Sequence, residues 1–262
     1  MTYKTIRIEI DSREVATVTL ARAEKHNAMD AVMIAELTAA AERLATDDGV
    51  RVVVLQADGR TFCAGGDLGW MRDQAYKDRQ GKMDEAMTLA RMLGLWNALP
   101  KPVIGRVHGA AYGGGLGLIC VCDIVIAEDT ARFALTETRL GLIPATIGPF
   151  VVARLGEAFA RQVFFNAKPF DADFLIRAGV VARACPAAEL DAAIEGEVTA
   201  LLQCAPGAVA DAKALCRALA GADPVDAAEF SASALADRWE TEETKDGIAA
   251  FFAKKEPPWR DD

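Results

Sequence analysis

Three consecutive glycines, followed further along the chain by a glutamate, are the residues of this sequence best suited to chemistry. Gly113, Gly114 and Gly115 come after a predicted strand and begin a predicted helix. Glycines let a ligand approach bare backbone N–H groups, and the positive end of a helix dipole lies at the same place. Such donors stabilise an oxygen that gains negative charge in a reaction. With Glu137 as a group able to move protons, this segment predicts a catalytic site.

A second turn of small residues provides the other half of this prediction. Ala64, Gly65 and Gly66 follow the buried strand predicted at residues 52–55, and Asp67 can cap the helix after them. On its own, such a turn is more often structural than functional. Two turns that each follow a buried strand can nevertheless offer one N–H apiece to a single oxygen. Together they predict an oxyanion hole for an enolate-like transition state.

Composition and motif spacing disfavour several other classes of site. No glycines satisfy the GxGxxG spacing and no GxxxxGK[ST] occurs, which argues against dinucleotide and nucleoside triphosphate binding. The net charge of -9 makes nucleic acid and anionic membranes unfavourable partners. Two histidines, and six cysteines without CxxC spacing, give poor support for a zinc site and indicate thiols in a reducing compartment. We therefore expect no metal, no nucleic acid and no membrane among its partners.

The elements that must position these turns alternate between strands and helices. Apolar patterning predicts strands at residues 6–10, 15–20, 52–55, 101–107 and 123–127. The first two form a predicted hairpin, and Asp30 is a predicted N-cap for the helix that follows. Strands that alternate with helices indicate α/β layers with a mainly parallel sheet. After about residue 195 only Ala-rich helical segments are predicted, so we expect a core over residues 1–195 and a helical region over residues 196–262.

The chain is expected to be soluble and cytoplasmic. Its 52% apolar and 26% charged residues are typical of a soluble globular protein. The longest uncharged run, residues 107–122, is interrupted by glycines and is shorter than the roughly 20 residues of a membrane span. The N-terminal residues lack the apolar core of a signal peptide.

Six segments, in their order and spacing, resemble the enoyl-CoA hydratase/isomerase (crotonase) superfamily over nearly the whole chain. They are residues 22–29, 62–68, 109–115, 122–124, 137–144 and 246–252. The resemblance implies an α/β fold, a crotonase-like spiral of ββα turns with a C-terminal helical trimerisation region. It also implies an acyl-CoA substrate and assembly as a homotrimer or a dimer of trimers. Because the substrate carries its own CoA, no separate cofactor is expected.

The resemblance assigns roles to individual residues. The thioester carbonyl is expected between the N–H groups of Ala64 and Gly114, with Glu137 as the catalytic acid and base. The residues expected to bind the CoA portion are Lys25, His26, Ala28, Gly65, Gly66, Asp67 and Leu68. The residues expected to line the acyl pocket are Trp70, Met71, Gly117, Ile143 and Ile147. Plain core packing explains the four larger ones of this last set equally well.

One position departs from the family pattern and leaves the reaction open. Hydratases of the family typically carry a second glutamate where this chain has Gly117, which cannot exchange protons. A single glutamate can add water to a C2=C3 bond if something else holds the water. It can also move a proton from C2 to C4 of a 3-enoyl thioester, which needs no second acid. Enoyl-CoA hydratase is therefore the leading prediction, and Δ3-Δ2-enoyl-CoA isomerase through Glu137 is the alternative.

A narrower resemblance concerns the acyl group. Gly117, residues 136–140 and the run 145–152 are together similar to bacterial hydratases of the methylglutaconyl-CoA and isohexenylglutaconyl-CoA kind. The carboxylate of such a substrate could help to hold the water, and Arg139 could bind it, although a salt bridge is the more expected role for Arg139. Hydrolysis and decarboxylation, which other members perform, stay open. Glu137 and the acidic net charge argue against a non-catalytic or RNA-binding member.

Overall fold

The computed structural model describes residues 3–260 of the chain, which contain nine strands and ten α-helices. The strands are β1 (Ile6–Ile10), β2 (Val15–Leu20), β3 (Val52–Ala57), β4 (Val103–Val107), β5 (Ala110–Tyr112), β6 (Ile124–Glu128), β7 (Arg132–Ala134), β8 (Phe170–Asp171) and β9 (Arg183–Cys185). The helices are α1 (Ala31–Thr46), α2 (Leu68–Ala75), α3 (Arg79–Ala98), α4 (Gly114–Cys120), α5 (Gly148–Phe164), α6 (Ala172–Arg177), α7 (Leu190–Leu202), α8 (Pro206–Leu219), α9 (Ala227–Trp239) and α10 (Glu242–Ala253). The outer ends of the two predicted regions, residues 1 and 262, lie outside the described residues.

Most of the strands form one large sheet with the order β1-β2-β3-β4-β6-β9. β1 and β2 form the predicted antiparallel hairpin, and the four pairings after them are parallel. A smaller sheet has the order β5-β7-β8, in which β5 and β7 are parallel. Helices connect the parallel strands of the large sheet, so the predicted α/β architecture is confirmed.

The central strand β3 is apolar on both faces because helices cover both faces of the large sheet. Val53 and Leu55 lie in the main core with the buried side chains of α1 and α3. Val52 and Val54 lie in a second apolar cluster together with Ile194 of α7. Successive side chains of β3 therefore pack on opposite faces of the sheet, each set against a different layer of helices.

The packing of α7 corrects the predicted boundary at residue 195. That position lies inside α7, whose Ile194 and Val198 are both buried in the second apolar cluster. A helix that shares its buried face with β3 belongs to the same core as β3. The core therefore extends through α7 to Leu202.

An arginine joins the beginnings of α1 and α2. The predicted N-cap of α1 is confirmed, because the Asp30 carboxylate accepts a hydrogen bond from the Met33 N–H at 2.9 Å. Arg22 pairs with Asp30 at 2.9 Å and with Asp67 at 3.3 Å. Since Asp67 precedes α2, these pairs fix the start of α2 relative to α1.

The last three helices lack the buried face that long helices of the core such as α1, α3 and α7 have. In α8, α9 and α10 no residue is buried. The large apolar side chains exposed in and between these helices are Val225, Phe230, Leu235, Trp239, Ile248, Phe251 and Phe252. Across residues 3–260, every helix is too short or too polar to cross a membrane.

Candidate active site

Backbone pairing brings the two predicted turns together. The Cys63 carbonyl accepts a hydrogen bond from the Tyr112 N–H at 2.9 Å, and the Cys63 N–H donates to the Ala110 carbonyl at 3.1 Å. Gly65 lies against the same strand, since a Cβ atom on it would be 2.9 Å from the Tyr112 carbonyl oxygen. Its φ of +94° also favours glycine. β5 thus holds the turn that follows β3 against the start of α4.

The backbone N–H groups of Gly66 and Gly114 have no acceptor among the described residues. Gly114 is the first residue of α4, where a helical N–H has no intrahelical acceptor. Gly66 forms a parallel bridge with Met29, in which the neighbours Gly65 and Asp67 make the two hydrogen bonds, at 2.7 and 2.8 Å. Because adjacent N–H groups of an extended segment point in opposite directions, the Gly66 N–H faces away from Met29. Gly66 and Gly114 line the same cavity.

The same pairing corrects the prediction that Ala64 supplies the first donor. The Ala64 N–H donates to the carbonyl of His26 at 3.0 Å, so it is not available to a ligand. The available donor of this turn is Gly66, a residue predicted to bind CoA. No sequence signal separates the two residues, because the direction of each N–H depends on pairing with the distant segment 26–29.

Glu137 lies beside the glycine turn with its carboxyl group shielded from water. It begins a short 3-10 turn, Glu137–Leu140. Its Oε1 is 3.1 Å from the position that a Cβ atom on Gly113 would take, so the absence of a side chain there leaves room for the carboxyl. Its buried Oε2 accepts no hydrogen bond from a described residue. Burial raises the pKa of Glu137 above its usual value, which suits a group that must both take and give a proton.

The two donors and the carboxyl group open on one cavity of about 270 Å³. The predicted site residues that line it are Ala64, Gly65, Gly66, Leu68, Trp70, Met71, Gly114, Glu137, Ile143 and Ile147. Among the described residues of its wall, Glu137 is the only one with an ionisable side chain. The cavity therefore suits an uncharged, apolar group held next to a single acid.

Several apolar residues of the wall were not identified from the sequence. They are Met29, Ile34, Leu89, Leu140, Leu142 and Pro144. Leu140 and Leu142 come three and five residues after Glu137, so the apolar residues shortly after the acid were the available signal. Leu89 belongs to α3, and no local pattern indicates that this helix reaches the site.

Four residues predicted to bind CoA lie outside this cavity, and three of them belong to the segment 25–28. Lys25 is exposed, Ala28 is buried, and His26 is half-buried with its Nδ1 3.0 Å from the Thr61 Oγ1. None of the three lines the cavity. Their contact with CoA stays a prediction. Within residues 3–260, no three His, Cys, Asp or Glu side chains lie close enough together to hold a metal ion.

Asp67, also predicted to bind CoA, has a structural role. Its carboxylate caps α2 by accepting hydrogen bonds from the N–H groups of Gly69 and Trp70, at 2.8 and 3.2 Å. The bond from Trp70, together with Arg22, lowers the pKa of Asp67. Asp67 does not line the cavity, so the structure assigns it to the framework of the site.

Gly117 is a further correction, because it does not line the acyl pocket. It is buried in α4, and a Cβ atom on it would lie 2.7 Å from the Cγ2 of Ile147. Ile147 lies between this glycine and the cavity and is itself only 3% exposed. Gly117 therefore affects the cavity through Ile147.

Comparison with known proteins identifies the family of this chain. The family model described as enoyl-CoA hydratase/isomerase matches residues 11–262. The chain is similar to the Mycobacterium bovis protein named probable enoyl-CoA hydratase echA8, with 31% identity over 261 residues and 98% of each chain covered. The crystal structure of an enoyl-CoA hydratase from Shewanella pealeana is similar with a TM-score of 0.94 and 36% identity, over 98% of this chain and 96% of that chain. Pseudomonas aeruginosa AtuE is similar with a TM-score of 0.93 and 34% identity, over 98% and 99%. The chain belongs to the enoyl-CoA hydratase/isomerase family.

Proposed function

We propose that the protein is an enoyl-CoA hydratase, which adds water across the C2=C3 bond of an acyl-CoA thioester. The observation that carries this proposal is the buried Glu137 carboxyl group next to the N–H groups of Gly66 and Gly114, which have no acceptor in the described chain. The names of similar proteins support the same reaction.

In the proposed reaction Glu137 transfers the proton, and the two N–H groups stabilise the negative charge. The Glu137 carboxylate takes a proton from water as the water oxygen bonds to C3, and the C2=C3 electron pair moves towards the thioester oxygen. The Gly66 and Gly114 N–H groups donate to that oxygen and stabilise the enolate. Glu137 then gives the proton to C2, which restores the thioester and the carboxylate. The hydroxyl group of the water ends on C3 and its proton ends on C2, so the atoms balance.

An isomerase would use the same groups on a different substrate. Glu137 would take a proton from C2 of a 3-enoyl thioester and return it at C4, through the same enolate. The observation that favours this alternative is that no second ionisable side chain among the described residues lines the cavity. Two of the similar proteins carry the name enoyl-CoA hydratase, one of them as a probable one, so hydration is the first proposal.

The wall of the cavity favours an apolar acyl group over a glutaconyl-type one. No described Lys, Arg or His side chain lines it, and Glu137 would repel a substrate carboxylate. Arg139 is exposed and lies outside the wall. A preference for methylglutaconyl-type substrates therefore stays a prediction from sequence resemblance alone. Our proposal is a linear or branched acyl group without a charge.

The exposed apolar side chains of α8, α9 and α10 support the proposal of a homotrimer or a dimer of trimers. Side chains such as Phe251 and Phe252 are 78% and 79% exposed in one chain. An apolar surface of this kind is stabilised when another copy covers it. The site residues named above all belong to the core, so assembly would act on the reaction from outside the cavity.

Absorbance of the conjugated enoyl thioester tests the reaction. Wild type and Glu137→Gln are each supplied with 2-enoyl-CoA, 3-methylglutaconyl-CoA and 3-enoyl-CoA. We expect wild type to remove the absorbance of 2-enoyl-CoA, and Glu137→Gln to do so about 10²- to 10⁴-fold more slowly, because it can no longer exchange protons.

Glu9→Gln is the matched control, since Glu9 is an exposed glutamate of β1 outside the cavity. It should keep wild-type activity. A gain of absorbance from 3-enoyl-CoA alone would establish the isomerase instead. Faster turnover of 3-methylglutaconyl-CoA than of 2-enoyl-CoA would overturn the apolar preference.

A further inference from the structure

Ile147 occupies the space that the first atom of a side chain at position 117 would need. A Cβ atom on Gly117 would lie 2.7 Å from Ile147 Cγ2 and 3.1 Å from Ile147 Cβ. On another side the Cδ1 of Leu93 is 3.5 Å away. The first two distances are shorter than ordinary carbon contacts, so even an alanine at 117 requires Ile147 to move.

Ile147 cannot move away as a flexible side chain would. Its carbonyl accepts hydrogen bonds from the N–H groups of Phe150 and Val151, at 3.1 and 3.0 Å, which fixes its backbone at the start of α5. Its side chain is β-branched, so few χ1 rotamers are open to it. One close contact is to its Cβ, which moves only with the backbone. Any displacement would push the segment that lines the cavity.

We infer that Ile147 is the specificity-determining residue that restricts this site to one acid. It excludes every side chain from position 117 and presents an apolar surface to the cavity in that place. Both proton transfers must then pass through Glu137, the one ionisable residue of the described wall. This inference has two halves. The catalytic half, that both proton transfers pass through Glu137, rests on the proposed function. The packing half, that Ile147 excludes a side chain from position 117, rests on the contacts alone.

Thermal unfolding tests the packing half. Gly117→Ala should lower the Tm by roughly 4–8 °C through overpacking, whereas in the Ile147→Ala background the same change should shift it by less than about 2 °C. Gly94→Ala is the matched control, because Gly94 also lies in a helix but a Cβ atom there meets nothing within 4 Å. It should raise the Tm by about 1–3 °C, since alanine is the better helix former. A higher Tm for Gly117→Ala in the wild-type background would overturn the inference.

The pH dependence of kcat/KM tests the catalytic half. With one required carboxylate, log kcat/KM of wild type should fall on the acid side with a slope of one. Gly117→Glu combined with Ile147→Ala should restore a second carboxylate and steepen this slope, while Gly117→Glu alone should lower the Tm and the activity together. A slope of two in wild type would overturn the inference. The Tm results do not depend on which reaction is catalysed, so a failure of the proposed hydration is distinguishable from a failure of this inference.

Discussion

The core and the last three helices use apolar side chains in opposite ways. Within residues 3–202 most of the large apolar side chains of α1, α3 and the sheet are buried by the same chain. In α8, α9 and α10 no residue is buried, and side chains such as Trp239 and Phe251 are exposed. The core is therefore stabilised by contacts within one chain, and it contains the whole cavity. The last helices leave large apolar side chains exposed on the single chain.

Few polar contacts join these two regions. Lys213 of α8 pairs with Asp123 at 2.7 Å and also donates to the Lys101 carbonyl at 3.0 Å. Arg51 donates to the carbonyl of Cys204, just before α8, at 3.0 Å and to that of Trp259, after α10, at 2.8 Å. These contacts fix where α8 begins without burying its apolar face. Four substitutions separate the contributions of core, junction and surface.

The largest expected effect is a cavity in the core. Leu37 of α1 is fully buried, so Leu37→Ala should lower the free energy of unfolding by about 2–5 kcal/mol. Urea unfolding measures this loss. A loss below about 1 kcal/mol would show that α1 does not depend on the core in the way its burial indicates.

The next effect concerns the junction. Lys213→Met leaves Asp123 without its cation in a partly buried place, so we expect a loss of about 1–3 kcal/mol. Adding Asp123→Asn should recover most of it, because an amide oxygen can still accept the Val103 N–H. Lys245→Met, at an exposed pair with Glu242, is the control and should change stability by less than about 0.5 kcal/mol. Equal losses for the two lysine variants would contradict the role of the junction.

A smaller effect should distinguish the site from the rest of the core. Because the pKa of Glu137 is raised in the folded protein, its ionisation opposes folding at pH values above its ordinary pKa of 4.5. Glu137→Gln should therefore be more stable than wild type at pH 7.5. This difference should shrink as the pH is lowered through the raised pKa, and vanish below the ordinary one. Urea unfolding of both proteins at several pH values measures it, and a constant difference would contradict the burial of this charge.

The smallest effect on the single chain is expected at the outer surface. Leu235 of α9 is 62% exposed, so Leu235→Ala should change the stability of an unassembled chain by less than about 0.5 kcal/mol. Sedimentation velocity should instead show weaker assembly, because the lost surface lies where a second copy is proposed to pack. Unchanged sedimentation would contradict that placement.

The sequence allowed the local elements to be predicted, but not the contacts between distant ones. The strands around Val53, the N-cap Asp30 and the final helices all follow from patterns within a few residues. The boundary near residue 195 did not, because the burial of α7 depends on β3, far away in the chain. Periodicity shows which face of a helix is apolar, but it does not show which neighbour covers that face.

The candidate site shows the same difference between local patterns, which were predictable, and contacts between distant segments, which were not. Glu137 and Gly114 were identified together from their motifs, and both line the cavity. The choice between Ala64 and Gly66 could not be made, since it depends on which N–H the segment 26–29 uses. The filling of the space beside Gly117 by Ile147 likewise involves two residues that are separated in sequence and joined only by the fold.

The bridge between Met29 and Gly66 has a consequence for how this enzyme could change over time. Both proposed donors to the thioester oxygen are main-chain groups, and the bridge orients one of them through backbone hydrogen bonds alone. Replacing a side chain elsewhere cannot delete a peptide N–H. The proposed proton carrier, in contrast, is one carboxyl group that a single codon change removes. Random mutagenesis should therefore yield variants with altered reactions more readily than variants that no longer recognise a thioester.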